Sequence, residues 1–154
     1  MTHPAGHDND ATRRATLRWA AGLVVGAFAL PAVAQEPRPE RPTDRQGFME
    51  RAFEMRRLAI ERGDEPYGAV VVKDGRVVGE GVSGVVTDSD PTAHAEIQAI
   101  RDAARRLRTR DLSGCELYGT SRACPMCEAG AFWARISRMF YGAAITDAGA
   151  PKLR

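Results

Sequence analysis

A layered α/β sandwich is the fold this sequence predicts, on three observations. From Val70 onward, short apolar runs rich in β-branched residues alternate with longer segments of helical spacing. Two of those runs, Val70–Lys73 and Arg76–Val78, are joined by Asp74-Gly75, a dipeptide that supplies the positive φ angles of a two-residue hairpin turn. The stretch from Gln35 to Arg154 is 120 residues long, enough for one domain around one core. Strands interleaved with helices bury the faces of a sheet under those helices.

The first 34 residues stand apart from that domain. Arg13-Arg14 precedes an uncharged run from Trp19 to Ala34 that ends Ala32-Val33-Ala34. These are the charged, apolar and small-residue parts of a signal peptide, with cleavage expected before Gln35. At 16 residues the run is shorter than the ~20 that a membrane span needs. The paired arginines point to the twin-arginine route, which carries folded proteins. The expected location is therefore periplasmic or secreted, with no membrane span left after cleavage; retention as an N-terminal anchor is the alternative.

Residues 35–44 read as a linker, with three prolines set among charges between Glu36 and Pro42. The folded domain is expected over 45–154. Thr43-Asp44-Arg45-Gln46 has capping-box spacing, and Phe48, Ala52, Met55 and Ala59 follow at helical intervals. That first helix is expected to stop near Gly63. After the hairpin, Ser83 to Ser89 is a small polar loop delivering the chain to a second helix. Asp90 is expected to cap that helix and Pro91 to occupy its first position, with the end near Leu107. A third strand is expected over Glu116–Thr120, a third helix over Pro125–Ile136 and a fourth strand over Arg138–Gly142.

Charge narrows the classes of partner. Without Arg13, Arg14, Arg18, Asp8 and Asp10, the 22 basic and 20 acidic side chains become 19 and 18. So even a balance gives no electrostatic footprint for nucleic acid. Arg101, Arg105 and Arg108 share a face of the second helix, and a solvated face is the favoured account of them. The three cysteines are an odd number and do not form a disulfide framework. Cys115, at the start of a strand, reads as a small buried core residue.

The chemistry sits in two short segments. His94, Cys124 and Cys127 have the types and number of a catalytic zinc site, three protein ligands with the fourth position open. Glu96 is the proton carrier beside a water that the dication would acidify. His94 and Glu96 are two apart, so within a helix they point to nearly opposite sides and converge only at its N-terminal end. Cys124 and Cys127 fall at the start of the third helix, where unpaired N–H groups and the dipole stabilise thiolates. A structural zinc site lacks a fourth ligand, because His94 is the one histidine left after His3 and His7 leave with the signal. A thiol redox pair leaves His94 and Glu96 unexplained.

At these residues the chain resembles the cytidine deaminase-like zinc hydrolases, whose published signature is H-x-E followed by P-C-x-x-C. Ala123 stands where that signature has proline. The chain is most similar to the bacterial guanine deaminase and nucleoside deaminase branch, through Pro66–Gly75, Asp90–Ile97, Leu117-Tyr118, Cys124–Cys127 and Phe132–Arg135. The resemblance implies a three-layer α/β/α sandwich on a mixed sheet, a homodimer, a Zn2+ cofactor and hydrolytic release of an exocyclic amine as ammonia. It implies a free nucleobase or nucleoside as substrate, guanine first, with Tyr67, Ser83, Ala95 and Trp133 on the substrate side. Ser83 falls where family members hold the base with an asparagine, and Arg122-Ala123 replaces Glu-Pro. Compared with the family, the sheet is expected to be shortened at its C-terminal end to about four strands. Transfer RNA adenosine deaminases share the Asp90-to-Glu96 motif, so a tRNA substrate is the alternative within the class. A non-catalytic zinc-binding module is the alternative outside it.

Overall fold

The computed structural model describes residues 44–153; the expected signal peptide and nearly all of the expected linker lie outside them. The elements are α1 (Arg45–Glu61), β1 (Gly68–Lys73), β2 (Arg76–Val82), α2 (Ala95–Leu107), β3 (Glu116–Gly119), α3 (Pro125–Trp133), β4 (Arg138–Tyr141) and β5 (Thr146–Gly149). The strands form one sheet in the order β2-β1-β3-β4-β5. The β3–β4 pair is parallel and the others are antiparallel, so the sheet is mixed.

Two apolar clusters make the layers. On one face α1 lays Phe48, Met49, Ala52 and Met55 against Val70, Val72, Tyr118 and Phe140. On the other, Ala95, Ala99 and Ala103 of α2 and Ala131 of α3 cover Ala69, Val71, Leu117 and Met139. Alternate residues of β1 thus serve opposite cores, and the strand is apolar throughout because both of its faces are covered. The alanine stripe of α2 lets that helix approach β2 very closely. A Cβ on Gly81 would meet Ala95 O at 1.9 Å, and one on Gly79 would meet Ala99 O at 2.4 Å.

The hairpin forms at the expected dipeptide, with Asp74 at φ 49° and Gly75 at φ 70°. Gly63 follows α1 at φ 76°, as its helix-ending place requires. Four expectations need correction. Asp44, assigned to the linker, is the N-cap of α1, and its side chain accepts a 2.7 Å hydrogen bond from Gly47 N. The sheet has five strands rather than four. The chain turns after β4 through Gly142 (φ 69°) and Ile145 (φ 51°) and returns as β5. Asp147, Ala148 and Gly149, all of low strand propensity, hid that strand from a reading by pattern. α3 ends at Trp133, where Arg135 at φ 62° breaks the helical run before Ile136. α2 starts at Ala95, not Pro91. Among the described residues no helix is long and apolar enough to cross a membrane.

Candidate active site

The late start of α2 builds the site. The Asp90 carboxylate takes Thr92 N at 2.8 Å and Thr92 Oγ1 at 2.7 Å, and Ala93 N bonds Asp90 O at 3.0 Å. Asp90-Pro91 therefore closes a turn ahead of the helix rather than capping it. His94 becomes the N-cap in extended conformation (φ −62°, ψ 148°), and Glu96 sits in the first helical turn. That change of backbone frees the two side chains from helical geometry, so they can face one point despite their spacing. Cys124 is likewise the N-cap of α3, with Pro125 in the first turn and Cys127 one turn in. Two helix N-termini converge where thiolates and a carboxylate are best tolerated.

The donor atoms of His94, Cys124 and Cys127 all lie within 4.8 Å of one another. His94 Nδ1 is 3.7 Å from Cys124 Sγ and 3.5 Å from Cys127 Sγ. A tetrahedral zinc with ordinary Zn–S and Zn–N lengths requires N···S separations of roughly 3.5–3.6 Å. The group therefore fits zinc in donor type and in spacing. Burial pushes the Cys127 thiol far up, and the Glu96 charge pushes it the same way, so its thiolate needs a cation beside it.

Glu96 is 6% exposed and has no ion-pair partner among the described residues, an unusual place for a carboxylate. Its Oε2 lies 3.7 Å from Cys127 Sγ. Burial raises its pKa above the ordinary carboxylate value, and its hydrogen bonds and the neighbouring His94 oppose that only in part. A narrow pocket opens beside it, lined among others by Gly119, Ser121, Arg122, Ala123 and Tyr141. A Cβ on Gly119 would stand 3.6 Å from Glu96 Oε1, so the glycine leaves the carboxylate's flank open to the pocket.

The four residues expected on the substrate side do not line this pocket. Tyr67 is 41% exposed ahead of β1, and its carbonyl accepts Ser83 N at 3.3 Å. Ser83 is buried, and among the described residues its hydroxyl makes no hydrogen bond of good geometry. The Ala95 side chain is fully buried in the core under α2. Trp133 stands 73% exposed, edge-on to Phe132 at 5.6 Å, beside a separate pocket with Arg110 and Arg135. Arg101 and Arg105 are exposed on α2 and Arg108 is exposed just past its end, with Arg105 facing Asp102 at 3.5 Å.

Sequence reasoning marked Arg122-Ala123 only as a departure from the motif, not as a wall of the pocket, and passed over Ser121 and Asp64. Asp64 is buried, and its Oδ2 accepts from Val86 N (3.1 Å), Thr87 N (2.8 Å) and Thr87 Oγ1 (2.8 Å). Burial alone would raise this acid, but the bonds from Thr87, with Glu65 N, outweigh it and hold the carboxyl well below the usual range. No local pattern marks such a residue, because most of its donors lie more than twenty positions away.

With the geometry in place, comparison with known proteins decides the family. A model described as the cytidine and deoxycytidylate deaminase zinc-binding region matches residues 42–143. The chain belongs to this family. Among its relatives in the deaminase family, guanine deaminase of Bacillus subtilis is 44% identical over 102 residues, 66% of this chain and 65% of the relative. The tRNA-specific adenosine deaminase of Aquifex aeolicus is 41% identical over 96 residues, 62% of this chain and 64% of the relative. The matched segment thus spans just under two thirds of either relative. The crystal structure of the B. subtilis guanine deaminase superposes with a TM-score of 0.62 at 42% identity, covering 65% of this chain and 64% of that one.

Proposed function

We propose that the chain is a zinc-dependent aminohydrolase of a free nucleobase or nucleoside, with guanine as the first candidate. The observation that carries this is Glu96: a buried carboxylate of raised pKa beside three converging zinc-type donors, at the mouth of a pocket. His94 through Nδ1 and Cys124 and Cys127 through Sγ are the proposed ligands. The zinc, when bound, would supply water of pKa near 7 in place of ~16. Glu96 Oε2 takes a proton from the attacking water as its oxygen bonds to the ring carbon bearing the amine. The same oxygen returns a proton to the departing nitrogen, which leaves as ammonia. A raised pKa suits that exchange, because a proton carrier works best when its pKa lies near the working pH. Burial of Glu96 also keeps bulk solvent from competing for its proton.

A tRNA adenosine substrate is the second reading, favoured by the similar identity to that class of relative. The near-even charge of the domain counts against it, since RNA binding draws on a basic surface. The two separate in one experiment. Zinc-loaded protein is given guanine, adenine, cytosine, their nucleosides and a tRNA anticodon stem-loop, and ammonia is measured. Release from a free base or nucleoside supports the proposal. Release from the stem-loop alone replaces it with the second reading. No release from any of them leaves a non-catalytic zinc module.

A further inference from the structure

We propose that Arg122, with Ser121 and Tyr141, selects the base: the three side chains read the carbonyl edge of a 2-amino-6-oxopurine and disfavour adenine. The proposal deepens the deaminase reading and rests on it. All three residues line the pocket beside Glu96. Ser121 and Arg122 stand on the loop from β3 to α3, and Tyr141 ends β4. Arg122 is exposed and the other two are half-buried, so each can be reached. Among the described residues, none of the three side chains makes a hydrogen bond or an ion pair. Their bonding capacity is left for a ligand.

The rest of the lining limits what that ligand is. Arg122 is its one cation among the described residues. Of its two carboxylates, Glu96 is where the amine must arrive, since its Oε2 returns the proton to the departing nitrogen. The other, Glu128, already accepts Lys152 N on Oε1 at 3.3 Å. Leu117, Met139, Ala148 and Ala150 offer a ring apolar side chains only. A base in this pocket is therefore held at two places, its amine at Glu96 and its lone pairs at the three donors.

Guanine meets both demands. A guanidinium carries five donors and no acceptor, and the serine and tyrosine hydroxyls can each donate. The amine of guanine is on C2, and its O6 and N7 are neighbouring acceptors that one guanidinium takes as a bidentate pair. Adenine has no carbonyl oxygen, and with its amine at Glu96 only ring nitrogens remain for the donors. A site built to hydrogen-bond an oxygen rejects the analogue without it, because its own groups are left unpaired.

2-Aminopurine isolates the point. It has guanine's amine on the same carbon and lacks the oxygen at C6, with the N1 proton that accompanies it. Zinc-loaded wild type and Arg122→Met are compared on both bases for kcat and KM, with a competitive Ki for a base that turns over below detection. The wild type should favour guanine. Arg122→Met should lower kcat/KM for guanine roughly tenfold to a hundredfold, mainly through KM, the scale of a hydrogen bond to a charged group. For 2-aminopurine the loss should be several times smaller. Arg122 is two residues from Cys124, so Tyr141→Phe repeats the test from β4, and it decides if Arg122→Met loses zinc. It too should cost guanine more than 2-aminopurine. Equal use of the two bases by the wild type, equal losses on both in the variant, or faster turnover of adenine than of guanine overturns the proposal. If the wild type releases no ammonia from any base, the deaminase reading fails by itself. Calorimetric titration with guanine and 2-aminopurine then decides. A preference for guanine that the variant loses supports the role of Arg122, and equal binding or none overturns it.

Discussion

Replacing Gly81 by alanine should disable the site from the opposite face of α2. The added methyl would lie 1.9 Å from Ala95 O and 2.4 Å from Ala99 N, both backbone atoms of the helix that carries Glu96 and follows His94. Ordinary contact begins at 3.4 Å, so helix and strand must part by about 1.5 Å at Ala95. No rotamer change relieves a clash with backbone, which puts the cost at the upper end of overpacking, ~3 kcal/mol. For a domain of this size that lowers Tm by roughly 10–20 °C. Metal sites tolerate ligand errors of only ~0.2 Å, so a shift of this size at Ala95 should also weaken zinc binding. Thermal unfolding of the metal-free protein and competition with a chromogenic chelator measure the two effects. Gly75→Ala is the control: its φ of 70° strains alanine, but nothing lies within 4 Å of the new methyl. It should cost ~1 kcal/mol without touching zinc affinity. A Gly81→Ala protein with wild-type Tm and zinc affinity would refute the argument that this close approach sets the position of α2.

Three other outcomes are expected. Cys127→Ser should abolish stoichiometric zinc, measured by elemental analysis of purified protein; a full complement would remove Cys127 from the ligand set. Asp64 has a depressed folded-state pKa, so its contribution to stability is present above the unfolded value of ~3.9 and is lost as pH falls below it. The stability gap between wild type and Asp64→Asn, followed by denaturant titration, should therefore narrow below about pH 4, and a gap constant to pH 2 would contradict that sign. Arg13→Lys with Arg14→Lys should hold the precursor inside the cell, still zinc-loaded, as blots of cell fractions would show; normal export of that precursor would rule out the twin-arginine route.

The candidate site was legible in the sequence because its signal is chemical and local. His94, Glu96, Cys124 and Cys127 announce themselves by type and spacing, whatever the backbone does. The reason His94 and Glu96 can share a target was legible only in outline. The N-terminal end of α2 is where they meet, but Asp90-Pro91 reads as a helix start when it is in fact a turn, because both use an aspartate before a proline. The hairpin at Asp74-Gly75 was equally local and stands where expected. β5 was hidden because its pairing with β4, not its residues, makes it a strand. Asp64 was hidden for the same reason, since its role lies in bonds to Val86 and Thr87. The pocket wall from Ser121 to Ala123 takes its meaning from β3 ending beside Glu96, a fact of topology.

The central claim is hydrolysis driven by Glu96, and the fate of a water oxygen tests it most directly. Zinc-loaded protein is incubated with guanine in heavy-oxygen water, and the product is weighed by mass spectrometry while ammonia is counted. One heavy oxygen is expected at the carbon that lost the amine, and one ammonia for each. In Glu96→Gln, which keeps its zinc, both should fall together by ~10²–10⁴-fold. Product without the heavy oxygen, or turnover undiminished in Glu96→Gln, would contradict it.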